Sequence, residues 1–412
     1  MDNKFSDKTK IIIIIVYLIL VIITEQFYRQ PLTIISISLI INLQNKIKDT
    51  FISTFFSIIT NFGSEKVLIP IVLLFLFFNP LIYFYYLIFS IITSTYFASL
   101  MKLIYLDYRP YWDDNQIFPI ISCDMGYGNP SGHTLVSTVT YLGLWKLLQK
   151  NRIQKKKIHS LIILFCMILM ICFIVSSRLI GGVHNLNQIL FGFLLGFGMF
   201  FTYYTLYKFY NKDPEMFFIF IEENKKKLNI IFIYLYIISI PIYIIAFNEN
   251  SKNEYVEIIK TKCDLFNLNS PLHKQFSREG FKGTSLMIGL IGIFNGILYS
   301  KNKMSDQYIG KEYIIMNWHN LDFKNKIIRF ILMGIFSLPG LLLLLIPSSF
   351  PILIIMIFKY NISFLIIGFC IFGPGMYYSF TKTFKDEINI QTINKVLGNP
   401  EGEINNSFST DD

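Results

Sequence analysis

IHSLIILFCMILMICFIVS, residues Ile158–Ser176, lies in a stretch with no charge between His159 and Arg178. A run of about 18 or more apolar residues is enough to carry a helix across the hydrocarbon core of a bilayer. Comparable runs recur along all 412 residues, of which 53% are hydrophobic and 16% charged. Soluble domains hold roughly a quarter charged residues. The pattern predicts an all-α fold, a polytopic transmembrane helix bundle. A membrane barrel would show short alternating strands instead.

Working outward from this run, the apolar periodicity predicts spans at 11–27, 67–79, 81–104, 131–149, 158–178, 185–207, 229–247, 283–300, 327–346 and 361–380. Pro80 is expected to break the second and third into a hairpin. Residues 32–60 mix apolar and polar groups at helical spacing, among them Asn42, Gln44, Lys46, Lys48 and Asp49. They read as an amphipathic helix at the interface, or as an ordinary packed helix. The apolar run after Lys4, Lys8 and Lys10 is followed by Glu25, Gln26 and Phe27 rather than a small-residue cleavage site, so it reads as a retained first span. The expected layout is an N-terminal membrane span over 1–31, a catalytic core over 32–207, a C-terminal membrane-spanning region over 208–380 and a polar tail over 381–412.

The net charge of +10 gathers in short linkers. Lys150, Arg152, Lys155, Lys156 and Lys157 fill one; Lys208, Lys212, Lys225, Lys226 and Lys227 fill another. Positively charged linkers stay cytoplasmic, which explains the charge without nucleic acid as a partner. That places loops 105–130 and 179–184 together on the opposite, lumenal or extracellular side, with 248–282 joining them. Cys166, Cys172 and Cys370 fall in apolar spans and read as small core residues. Cys123 and Cys263 fall in loops on one side, so a bridge between them is open.

Three patterns at span ends share that non-cytoplasmic side. Lys102 lies in an apolar stretch, and Arg109-Pro110 follows seven residues later, about two helical turns along one face. An intramembrane ammonium is costly unless it snorkels or meets an anion. Asn129-Pro130-Ser131-Gly132-His133 opens a span, and a helix N-terminus offers free N–H groups to an anion. Ser131 adds a hydroxyl, and Gly132 allows close approach. Ser177-Arg178 ends a span, Gly181-Gly182 permits a tight turn, and His184 opens the next helix. Arg178 could fork onto two phosphate oxygens. Each pattern alone has a plainer reading: a snorkelling lysine, a capped helix start, a basic helix C-terminus. Together they place two of the chain's five histidines with three cations on one membrane face.

Lys102…Arg109-Pro110, Pro130-Ser131-Gly132-His133 and Ser177-Arg178…His184 resemble, in order and spacing, the three-part signature of the type 2 phosphatidic acid phosphatase and vanadium haloperoxidase superfamily. The resemblance covers roughly residues 40–205. It implies a catalytic core of that type, with Lys102, Arg109, Arg178, Ser131 and Gly132 binding phosphate. It further implies His184 as the nucleophile that forms a phosphohistidine, and His133 as the acid and then base, with no cofactor and no metal. Where the family usually has Asp four residues after the nucleophile, this chain has Gln188. On a helix that spacing sets Gln188 over His184, where its amide oxygen can fix the tautomer but lends less charge. The glucose-6-phosphatase branch is similar in having Gln there, in Arg109-Pro110-Tyr111-Trp112, and in a cysteine and glycines (Cys123, Gly126, Gly128) before Pro-Ser-Gly-His.

The expected function is metal-independent hydrolysis of a lipid phosphate, whether phosphatidate, a sphingoid phosphate or an isoprenoid phosphate. A sugar phosphatase and a non-enzymatic transporter or scaffold that keeps an anion site are the alternatives. The expected partners are the phosphorylated lipid and the bilayer, with a homo-oligomer left open. An endoplasmic reticulum membrane is preferred over the plasma membrane. Asp113, Asp114 and Asp124 read as solvated loop acids, and Tyr108, Tyr111 and Trp112 as an interfacial aromatic belt or a pocket floor. His159 reads as interfacial, and His273 and His319 as loop residues.

Overall fold

A computed structural model describes residues 7–47, 50–76, 81–124, 126–150, 157–210, 214–248, 258–259, 261–263, 280–307, 322–347 and 350–382. The Pro80 break, the linker residues 151–156, Lys212, His273, His319 and the tail from 383 onward lie outside them. Every element among the described residues is helical. The helices are α1 (Asp7–Ile47), α2 (Phe51–Asn61), α3 (Glu65–Leu76), α4 (Leu81–Tyr105), α5 (Pro110–Asp113), α6 (Gly132–Lys150), α7 (Lys157–Ile180), α8 (Leu186–Tyr210), α9 (Pro214–Asn248), α10 (Leu286–Gln307) and α11 (Phe323–Leu344). The last, α12, runs over 352–382 and contains two wider-wound stretches at Ile355–Ile362 and Ile371–Gly375.

Eight of the described helical segments are long and apolar enough to cross a membrane. Two expected spans are not among them. The described part of the 67–79 span is the 12-residue α3. The 131–149 span is α6, which buries Thr134, Ser137, Thr138 and Thr140. Those hydroxyls make α6 an inner helix, flanked by α4, α7 and α8. Its neighbour α7 shows the opposite pattern. Ile158, Leu161, Ile162, Phe165, Ile168 and Leu169 are all exposed, as a lipid-facing surface requires. Cys166 and Cys172 lie on that exposed surface as well, which corrects their reading as core residues.

The largest departure concerns the N-terminal region. Residues 32–60 do not form one interfacial helix, and the first span does not end near 27. α1 continues through Pro31 for 41 residues, and α2 is separate. Its length, about 1.5 Å per residue, exceeds the roughly 30 Å hydrocarbon core. Proline is tolerated inside a membrane helix when neighbouring groups satisfy the freed backbone. α1 packs along α8, with Tyr17 donating to the Leu194 carbonyl at 3.1 Å.

Close helix approach sets the geometry around α6. A Cβ added at Gly192 would lie 2.7 Å from the Ser131 carbonyl oxygen, and one at Gly196 would lie 2.8 Å from that of Leu135. Small residues let α8 press against the start of α6, the usual way membrane helices associate without a hydrophobic drive between them. The C-terminal helices α10 and α12 cross in the same manner, with Gly296 against Gly373. Both halves share one apolar core, which includes Phe84, Leu87, Phe191, Leu290 and Phe372.

Candidate active site

The ends of α4, α6, α7 and α8 meet on one face of the bundle, and each delivers a signature residue. Arg109 is the residue before Pro110 at the start of α5, in extended backbone. Its guanidinium is 2% exposed. Nε donates to the Gly126 carbonyl at 2.5 Å and Nη1 to the Val183 carbonyl at 3.0 Å. Arg178, in the last turn of α7, is equally buried and donates from Nη1 to Thr60 Oγ1 at 3.0 Å. These neutral partners position both guanidiniums without cancelling charge themselves.

His184 sits between α7 and α8, in the turn that Gly182 permits at φ 66°. Its Nε2 lies 3.4 Å from Arg109 Nη1. Its Nδ1 lies 3.0 Å from Gln188 Oε1. The orientation of the Gln188 amide follows from its other end, where Nε2 donates to the Tyr108 carbonyl at 2.8 Å. With Oε1 as the acceptor, the Nδ1 position carries the proton and Nε2 keeps its lone pair toward the arginines. Gly128 makes room for this arrangement, because a Cβ there would come within 2.5 Å of the Gln188 amide. Burial foremost, and then the cations Arg109, Arg178 and Lys102, hold the His184 imidazole well below its ordinary pKa. The ring is therefore neutral near pH 7.

His133 lies in the first turn of α6 and shares the electrostatic environment of Arg178, Asp124, Lys102 and Arg109. A Cβ on Gly63 would sit 3.3 Å from His133 Cβ, so the turn between α2 and α3 covers this histidine closely. Lys102 Nζ lies 3.7 Å from where a Gly132 Cβ would be. All the cations and both imidazoles expected from the sequence are thus brought together. Ser131 is placed there too, with one correction. Its backbone N–H is already bonded to the Gln188 carbonyl at 2.9 Å. Its hydroxyl accepts from Thr134 Oγ1 at 3.0 Å, which leaves the Ser131 hydroxyl proton, rather than its amide, to donate to an anion.

Asp124 is not a solvated loop acid. Its Oδ2 is ion-paired with Arg178 Nη2 and lies 3.5 Å from Arg109 Nη1. Burial opposes its ionisation, but the Arg178 and Arg109 guanidiniums outweigh this and hold the carboxyl well below the usual carboxylate range. The aromatic belt reading also fails for Tyr111 and Trp112, both fully buried. With Ile40, Ile117, Tyr127, Val183 and Ile259 they form a separate small core beneath the loop. Tyr108 packs partly buried against it.

Three further groups hold the site through contacts that the sequence did not indicate. Asn129, just before the α6 motif, donates from Nδ2 to Glu25 Oε1 and to Asp107 Oδ2, each at 2.8 Å. Glu25 is itself gripped by Arg29, at 2.8 Å from Nε and 2.7 Å from Nη2. Gln44, also on α1, donates to the Phe118 and Ile180 carbonyls at 2.7 and 3.0 Å and accepts from the Phe118 N–H at 3.0 Å. Lys262 donates to the carbonyls of Tyr111, Asp114 and Ile117 at 3.0, 2.6 and 2.9 Å. Beside it a disulfide joins Cys263 to Cys123, so the bridge left open by the sequence is formed.

The arrangement is a buried cationic cradle with an oriented imidazole and a second imidazole beside the same cations. Such a cradle neutralises a phosphoryl group and stabilises charge that grows on its equatorial oxygens. Comparison with known proteins agrees in kind: residues 83–212 match the model of the PAP2 superfamily. Neither the curated proteins nor the solved structures provide a match. The matched stretch begins in α4 and ends just past α8, and it holds all the cations and both histidines of the cradle. What the comparison identifies is a PAP2 superfamily segment within the chain, residues 83–212.

Proposed function

We propose that the protein hydrolyses a lipid phosphate monoester through a phosphohistidine, on the non-cytoplasmic face of its membrane. The match of residues 83–212 to the superfamily supports a phosphatase in general terms. The observation that carries the finer reading is the orientation of His184, whose Nε2 faces Arg109 while Gln188 holds Nδ1.

In this mechanism the phosphoryl oxygens lie among Lys102, Arg109 and Arg178, with the Ser131 hydroxyl and the Gly132 backbone as further donors. His184 Nε2 attacks phosphorus as the bond to the leaving oxygen breaks. His133 gives that oxygen a proton, so the alcohol departs neutral. His133 then takes a proton from water, which attacks the phosphohistidine and releases inorganic phosphate. Gln188 keeps the His184 ring turned toward phosphorus and accepts its Nδ1–H, which carries more positive charge in the intermediate.

A lipid substrate fits the position of Lys102, in the last turn of α4 between the exposed residues Phe97 and Ile104. A head group reaching Lys102 could keep its tails along that apolar face. Non-cytoplasmic placement is supported by the Cys123–Cys263 disulfide on this side of the bundle, since disulfides persist in oxidising compartments. Gln188 in the usual Asp position favours the second reading, a sugar phosphatase.

The test is a phosphate-release panel on purified full-length protein, with EDTA present. Phosphatidate, a sphingoid phosphate, an isoprenoid phosphate and glucose 6-phosphate would be compared, for wild type and His184→Ala. Lipid turnover that vanishes in the variant is expected. Glucose 6-phosphate turned over far faster than every lipid would reject the lipid reading. Activity unchanged in His184→Ala would reject the mechanism.

A further inference from the structure

The cradle holds an anion of its own. Asp124 Oδ2 bridges the two guanidiniums that the proposed reaction assigns to phosphate. The same Arg178 keeps its Nε buried and without a hydrogen-bond partner among the described residues, so its fork is only partly used by Thr60 and Asp124. A carboxylate has two oxygens and one charge. A phosphate monoester has three terminal oxygens and up to two charges, and satisfies two arginine forks more fully.

The backbone around Asp124 is pinned on both sides. Cys123 is tied to Cys263 by the disulfide. The Asp124 carbonyl accepts from Tyr111 Oη at 2.7 Å, the Gly126 carbonyl from Arg109, and the Gly128 N–H donates to the Asp107 carbonyl at 2.8 Å. The Asp124 side chain, by contrast, is 32% exposed, whereas both arginines are essentially inaccessible. A rotation about its own side-chain bonds would therefore carry the carboxylate out of the cradle without moving the loop.

We propose that Asp124 is an affinity-setting residue: an internal carboxylate that occupies the phosphate position in the resting enzyme, rotates outward when phosphate enters, and returns as it leaves. This inference rests on the phosphate-binding reading of the cradle. It gives the carboxylate two effects. It holds Arg109 and Arg178 together in their binding arrangement, when like charges would otherwise push them apart. It also weakens the grip on inorganic phosphate, because every departing phosphate is replaced by an anion already tethered in place.

Two measurements on full-length protein in detergent test this. The first is binding of orthovanadate and inorganic phosphate to wild type and Asp124→Asn, followed by calorimetry. Removing the internal competitor should tighten both by roughly tenfold, on the scale expected for like charges brought together at a binding site. Unchanged or weaker binding by a variant that elutes as a single species overturns the proposal. The second uses wild type alone and so does not depend on the variant folding. Carbodiimide labelling of Asp124, read by mass spectrometry against exposed Asp113 as an internal standard, should rise when vanadate is bound. Labelling that stays constant or falls also overturns it. Neither readout requires turnover. Tighter vanadate binding and greater labelling in a protein that releases no phosphate from any ester would sink the phosphatase reading and leave this one standing. Normal turnover with neither change would do the reverse.

Discussion

Two buried arginines, one in each half of the bundle, can be set side by side. Arg178 ends α7 and Arg329 lies in α11, and each is 1% exposed. Around Arg178 the chain gathers Asp124, Thr60, Arg109 and two imidazoles. Arg329 instead lies over the ring of Phe380, 5.5 Å from its centroid, on α12. An ionisable group inside a membrane helix is a default hint of function. The contrast shows that burial alone does not make that hint good. Arg178 keeps company that it repels, other cations, held near it by carbonyls, hydroxyls and the Asp124 carboxylate. Only an anion relieves such a cluster.

The sharpest break of this contrast is His184→Ala, which should reduce phosphate release by on the order of 10⁴-fold or more, since it removes the attacking atom. The effect is read as kcat/KM on whichever ester the substrate panel selects. Next comes the arginine pair itself. Arg178→Ala should cost about 10²–10³-fold in kcat, the usual loss when one preorganised donor is removed. Arg329→Ala should leave kcat of the folded protein within about twofold, with about 1–2 kcal/mol lost from stability as the cation–π contact goes. A thermal melt beside the kinetics separates the two. Equal kinetic losses for both would erase the distinction drawn here.

Gln188→Ala should cost about 10–100-fold, the scale of a supporting partner behind a reacting imidazole. The loss should fall mainly on kcat, because the ring is misaligned while the cations that bind phosphate stay in place. The smallest effect concerns pH. Burial and the neighbouring cations depress the His184 pKa. A group whose neutral form is required, and whose pKa is lowered, loses activity only once pH falls beneath that lowered value. The acid limb of kcat/KM, corrected for the ionisation of the substrate, should therefore lie below the ordinary imidazole value of about 6.5. An acid limb above that value would mean that the cations do not act on His184 in the resting enzyme.

The parts of the site legible in the sequence are those whose spacing is local. His184 and Gln188 lie one turn apart, and the helix start at Gly132 announces itself through Pro130-Ser131; Lys102 and Arg109 are seven residues apart, but not on one helical face as their spacing suggested, because α4 ends at Tyr105 and Arg109 sits in extended backbone. Asp124 carried no such signal, because its partners Arg109 and Arg178 lie 15 and 54 residues away and only loop closure joins them. Thr60 is 118 residues from Arg178, and Glu25 is 104 from Asn129. The first span was expected to end near 27, but α1 runs on through Pro31 to Ile47. The membrane-facing surfaces were easier, because lipid demands continuous apolar runs. The exposed cysteines show the limit of that reasoning: a small apolar side chain suits lipid as well as it suits a packed interior.

Lys262 changes how this molecule can be divided. It belongs to the long connection after α9, outside the 83–212 match, yet its ammonium gathers three carbonyls of the loop that carries Asp124, and its neighbour Cys263 is bonded to that loop. From the other direction, Glu25 and Gln44 of α1 reach the same region. The homologous segment is thus clasped fore and aft by sequence that its family model does not cover. An excised fragment bearing every signature residue would lack the braces that hold those residues in register, so autonomy of the catalytic machinery does not follow from the compactness of its motif.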